Sequence, residues 1–153
     1  MNPEIVRVLA ERCRQTETFI ERLENNDPSL KCASLGFHLI SDENLSRITR
    51  SLKDNTFLEI LELQYNVSHN CDYITQLAKS LKTNKKLRTL DLLYCGINNT
   101  KAEALLDMLQ ENMTIFYILL DGNNIDEELL DVIESRLKQN RERQPLVKSA
   151  SKM

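Results

Sequence analysis

Apolar positions along this chain follow two spacings in turn, and the alternation itself recurs. In Leu58, Leu61 and Leu63 the last two stand two apart, the interval at which an extended strand returns side chains to one face. The string comes back as Leu87, Leu90, Leu92 and as Ile115, Ile118, Leu120, with a degenerate first copy at Leu30, Ala33, Leu35. The steps between copies are 28, 29 and 28 residues. Between the strings the offsets change to three and four: Leu45, Ile48, Leu52; Ile74, Leu77, Leu81; Ala102, Leu105, Leu109; Leu130, Ile133, Leu137. That spacing places each set on one stripe of a helix. Each unit is therefore a short strand, a turn and a helix, too small to bury its own apolar face without a neighbour.

Polar residues at fixed places punctuate the units. Asn55, Asn84, Asn112 and Asn140 follow the four helical stripes, where tolerance of the left-handed conformation predicts a C-terminal cap. Ser41, Asp42 and Asp126 stand as N-cap candidates. Asn66, Cys95, Asn123 and His38 occupy one equivalent position after the strands. Polar groups there predict a ladder that satisfies peptide groups in adjacent turns. Asn26 lies 29 residues before Asn55, so Phe19 and Leu23 fall into the helical register as well. Residues 3–24 are then a helix without its strand, with Pro3 suited to the first turn.

The pattern LxxLxLxx(N/C)xL, repeated with its LxxN helix end at this period, resembles the leucine-rich repeat. The long period and full helix are similar to the ribonuclease-inhibitor-like class, which includes the tropomodulin and Ran-GTPase-activator repeat domains. The resemblance spans Leu30 to Asn140. It implies an α/β fold: a right-handed curved solenoid with a parallel sheet on the concave face and helices on the convex face. The expected organisation is an N-terminal helical cap at 1–28, four repeats at 29–140 and a basic, disordered tail at 141–153.

Charge and chemistry narrow the function. The net charge of −3 divides unevenly: Arg141, Arg143, Lys148 and Lys152 against Glu142 leave the tail at +3 and the remainder at −6. An acidic body disfavours nucleic acid, which needs a concentrated basic face. No apolar run is long enough for a bilayer, and residues 1–30 lack the apolar core of a signal peptide, which predicts cytoplasmic action. Cys13, Cys32, Cys71 and Cys95 show no metal-binding spacing and read as reduced thiols. His69 and Cys71 lie two apart without a third orienting group, and the acids 126–128 read as a helix start. No catalytic residue, metal or cofactor is expected.

Residues alternating with the inward leucines should line the open face of the sheet. Ile60, Glu62, Gln64, Tyr65, Asp91, Leu93, Tyr94, Tyr117, Leu119 and Asp121 combine apolar and aromatic groups with carboxylates. Such a surface predicts contact with another protein, preferentially a basic one. Phe37, Tyr65 and Tyr94 fit equally well as a row packed at the strand-to-turn edge. The last repeat adds Phe116, Leu129 and Val132 where earlier copies are polar. Its apolar end invites fold-back of Pro145-Leu146-Val147, a homodimer through the C-terminal repeat, or a docked partner. The expected function is a non-catalytic protein-binding module. The alternatives are an actin-binding, tropomodulin-like protein, a regulator of an enzyme such as a small GTPase, and a bacterial effector acting in a host cell.

Overall fold

The computed structural model describes residues 2–68 and 71–144. His69, the Pro145-Leu146-Val147 segment and the rest of 145–153 lie outside the described residues. Among the described residues five helices and four strands alternate: α1 (Pro3–Glu24), β1 (Cys32–Ser34), α2 (Asp42–Leu52), β2 (Ile60–Glu62), α3 (Tyr73–Leu81), β3 (Thr89–Asp91), α4 (Asn99–Glu111), β4 (Tyr117–Leu119) and α5 (Glu127–Glu142). The strands form one parallel sheet in chain order. Its register aligns Ala33, Leu61, Leu90 and Ile118, and on either side of them Cys32–Ile60–Thr89–Tyr117 and Ser34–Glu62–Asp91–Leu119.

The core lies between this sheet and the helices. Leu58, Leu61 and Leu63 of one repeat, and Leu87, Leu90 and Leu92 of the next, are wholly buried together with Leu45, Ile48, Leu52, Ile74, Leu77, Leu81, Leu105 and Leu109. Each helix packs against the next in sequence. Ion pairs tie the outer faces: Arg47 of α2 reaches Glu17 at 2.6 Å and Glu24 at 2.8 Å on α1, and Lys82 reaches Asp107 and Glu111 of α4.

The four asparagines after the stripes act differently from the cap read in the sequence. None has a positive φ; among them Asn112 sits at −88°. Their side chains turn inward instead. Asn84 Nδ2 donates to the carbonyls of Leu52 and Asn55, while its Oδ1 accepts from the N–H groups of Lys86 and Leu87. Asn112 repeats this one unit later. Burial explains the preference: the turn carries peptide groups with no helix or strand partner, and one amide satisfies four of them. The left-handed conformation falls on Asn26 (φ 49°).

Ser41 caps α2, its hydroxyl accepting from Asn44 N–H. Asp126 makes no such bond; it exchanges hydrogen bonds with Asn99, accepting from Nδ2 at 2.6 Å and donating its backbone N–H to Oδ1. The side chain is thereby spent on joining two repeats.

The turn after α1 is held by Asp27, whose carboxylate accepts from Ser29 N–H, the Ser29 hydroxyl and Arg22 Nε. The Ser29 hydroxyl, then Arg22 and the Ser29 amide, hold its pKa down from 3.8 to about 2. A carboxylate with a lowered folded pKa stabilises fully above its unfolded value and loses that contribution as pH falls toward the folded one. Asp27→Asn should therefore lower stability at pH 5 and flatten the stability curve between pH 3.8 and about 2. Urea titrations across that range would measure it. Convergence of wild type and variant near pH 2 is expected; parallel curves would contradict the assignment.

Candidate functional site: the open face of the sheet

One face of the sheet shares the core with the helices; among the described residues the other face is left uncovered. On the uncovered face the strands are only three residues long, so each contributes its two flanking positions and the turn that follows. Ile60, Tyr117 and Leu119 project from the strands and are exposed, Tyr117 by half. Glu62, Gln64 and Leu93 are half-buried, and Asp121 is exposed.

Asp91 departs from the sequence expectation. It is 8% exposed, and its Oδ1 accepts the Leu93 N–H at 3.0 Å. Asp91 sits in an interior strand, in register with Glu62 on one side and Leu119 on the other. The face therefore presents two carboxylates, Glu62 and Asp121. Around the N-terminal ends of the strands the charge reverses. Lys31 lies over the Phe57 ring, Arg88 over Phe116 and Arg141 over Tyr117, at 4.8, 5.3 and 5.2 Å from the centroids.

Beside the carboxylates runs a row of stacked rings. Phe37 and Tyr65 lie 4.1 Å apart at 20°, Tyr65 and Tyr94 4.7 Å apart at 12°. All three occupy the left-handed region, with φ of 60°, 61° and 53°. The equivalent residue in the fourth repeat is Gly122, at φ 75°. The turn demands that conformation, which costs a side-chain-bearing residue about 1–2 kcal/mol. Stacking offsets it by about 0.5–1.5 kcal/mol per pair. Tyr94 also covers the backbone of Gly122: a Cβ there would meet the ring at 2.3 Å. The row therefore packs at the turn edge and still leaves each of the three residues 40–48% exposed.

Among the described residues Gln64 holds the one buried side-chain acceptor on this face that lacks a partner. Its side chain folds over Gly36, into space that a Cβ would fill at 2.4 Å, and its Oε1 is buried without a hydrogen bond. Sequence reading placed Gln64 on the face but had no signal for the orphaned oxygen beyond the glycine opposite it.

Behind the face lies the post-strand ladder. Asn66 Nδ2 donates to the carbonyls of Leu35 and Leu63, and its Oδ1 accepts from Ile40 N–H. Asn123 bonds Leu92, Leu120, Cys95 and Ile97 in the same way. The Cys95 thiol donates to Leu63 O at 3.3 Å, and burial pushes its pKa up, so it is not a ready nucleophile. His38 turns elsewhere. Its Nδ1 lies 2.8 Å from the Thr16 hydroxyl of α1, which itself donates to Arg12 O. Among the described residues no strand lies before β1, and this side chain bonds the first helix instead of a neighbouring turn. Burial and then the Arg12 charge lower the His38 pKa.

Among the described residues no group of three or more His, Cys, Asp or Glu side chains could hold a metal ion, and no helix is long and apolar enough to cross a membrane. What the face offers chemically is contact area, hydrogen-bond acceptors and negative charge.

No family model matches the chain. It is 31% identical over 128 residues to Centrosomal protein of 78 kDa from Homo sapiens, covering 83% of this chain and 15% of that protein. The chain thus spans about 15% of the length of that relative. Among solved structures it is similar to Leiomodin-1 Actin-Binding Site 2, with a TM-score of 0.65 at 20% identity over 82% of this chain and 88% of that one. It is also similar to the tropomodulin C-terminal domain of Caenorhabditis elegans, with a TM-score of 0.57 at 15% identity over 84% and 94%. The chain has the leucine-rich-repeat fold of these tropomodulin-like domains.

Proposed function

We propose that the protein is a non-catalytic binding module that takes a basic protein segment on the open face of its sheet. The observation carrying this reading is the composition of that face. Ile60, Leu93, Tyr117 and Leu119 supply apolar area beside Glu62 and Asp121, both acceptors. Lysine and arginine side chains bring donors, positive charge and apolar stems to match both components. The rings of Phe37, Tyr65 and Tyr94 extend the surface with stiff anchors that lose little entropy on binding. In this reading the stack is a curved solenoid, the open face is concave, α1 caps the first repeat, and the protein works in the cytoplasm.

The test is a double substitution, Leu93→Lys with Tyr117→Lys. Both sites face outward, so thermal unfolding should shift by no more than a few degrees. Capture of the partner by the full chain should fall by about tenfold or more, since one buried like-charge contact is worth more than 1.4 kcal/mol. Full retention of every captured protein by the folded variant would remove the face from consideration.

A second reading is binding to actin, favoured by the likeness to Leiomodin-1 Actin-Binding Site 2 across 82% of the chain. Fold alone does not transfer a partner. Co-sedimentation with filamentous actin, together with a monomeric-actin binding titration, separates the readings. Saturable binding lost in the double variant unites them, whereas no binding in either assay removes actin.

A further inference from the structure

We propose that two copies of the chain associate through the outer edge of β4, their strands antiparallel across a two-fold axis centred on Ile118. Backbone groups, an apolar groove and opposite charges meet at this edge, and all three suit a second copy. The association is separate from capture of a partner on the open face.

The backbone comes first. In β3 and its flanks, Arg88, Leu92 and Tyr94 turn peptide groups toward β4. Arg88 O accepts from Phe116 and Tyr117 N–H, Leu92 N–H donates to Leu119 O, and Tyr94 N–H donates to Asp121 O. The counterparts of Arg88 and Leu92 one unit later are Phe116 and Leu120, with Ile118 between them on the same alternation. Among the described residues the Leu120 N–H has no acceptor. An edge with such groups is a template for another strand. In an antiparallel pair, a residue whose N–H and C=O both point outward exchanges two bonds with the residue opposite. An axis centred on Ile118 lets the two Ile118 residues do this. Each Leu120 N–H then meets the Phe116 carbonyl of the other copy. That oxygen accepts from Arg141 Nη1 at 2.7 Å and keeps a second lone pair.

The groove comes second. Ile118 and Leu120 are 7% and 8% exposed, where their counterparts Leu61, Leu63, Leu90 and Leu92 are at 0%. With Leu130, Ile133 and Leu137 of α5 they line a groove of about 300 Å³. A two-fold axis normal to the sheet keeps both core faces on the same side, so the two grooves meet and close into one interior. An axis running along the strands would set the groove of one copy against the open face of the other.

Charge comes third. Arg141 stands at the Phe116 end of the edge, and Asp121 follows the other end. Asp121 lines the groove together with Asp131. Neither has an ion-pair partner among the described residues. Antiparallel strands invert one copy against the other, so each Asp121 approaches the Arg141 of the other copy. Arg141 already pairs with Glu134, but a guanidinium has five donors. Opposite charges at both ends select this orientation, whereas a parallel arrangement sets like charges together.

The test is analytical ultracentrifugation of the full chain from about 1 µM to about 1 mM, with no partner present. Wild type should pass from monomer to dimer across that range. Asp121→Arg brings guanidinium groups together at each end and should weaken association at least about tenfold. Glu103→Arg makes the same charge change at an exposed position of α4 and should leave association unaltered. Both variants should unfold thermally within a few degrees of wild type at the lowest concentration. Isotope-filtered nuclear Overhauser contacts between labelled and unlabelled copies should join Ile118 to Ile118. A monomer throughout the range, or a dimer without that contact, would overturn the proposal. So would equal association constants for wild type and Asp121→Arg, or equal weakening by both substitutions.

Discussion

Asn112→Ala should destabilise the protein by about 4 kcal/mol. This side chain is wholly buried; it donates to Leu81 O at 2.6 Å and Asn84 O at 2.9 Å, and accepts from Thr114 and Ile115 N–H at 2.8 and 3.0 Å. Alanine strips all of these and leaves buried peptide groups without water or protein partners. Each such group costs about 1–3 kcal/mol, and local relaxation keeps the total below the simple sum. With a denaturant slope of about 2 kcal/mol per molar, the urea midpoint should fall by about 2 M. Asn98→Ala supplies the contrast. Asn98 is exposed, and its side chain accepts from Lys101 N–H at the start of α4, a cap worth about 1 kcal/mol. Similar losses for both variants would mean that the inner asparagines are dispensable.

Leu90→Ala should cost about 3–4 kcal/mol. Leu90 is at 0% exposure in an interior strand, paired in register with Leu61 and Ile118. Neighbours on both sides and helices above prevent the site from collapsing, so the loss combines transfer energy with a persistent cavity. Leu93→Ala, three residues on and facing outward, should cost less than about 1 kcal/mol. Thermal unfolding of the pair reads out which face is core. Equal effects would contradict the alternation of inward and outward side chains.

The sequence made the register legible because strand and helix stripes must recur at one interval to share a core. Leu61, Leu90 and Ile118 could be aligned from their spacing, and they are partners in the sheet. The role of the asparagines was not legible. Position after a helix suggests a left-handed cap, whereas the direction of the side chain depends on which peptide groups the turn leaves bare. The left-handed residues of the post-strand turn are aromatic in three repeats, which no propensity would suggest. Gly122 at the fourth was the available clue. The burial of Asp91 was also hidden, because alternation says which side a residue faces and not how exposed it is there. Asp126 reads as a cap by position, but Asn99 claims it across 27 residues.

The account rests on parallel strands in lateral register with one face left open. Cross-strand nuclear Overhauser contacts test it most directly. Contacts should link Leu61 to Leu90 and Leu90 to Ile118, with Ile60 near Thr89 and Thr89 near Tyr117, all displaced in the same chain direction. Contacts pairing Ile60 with Asp91, or Thr89 with Leu119, would mark antiparallel strands and contradict the account.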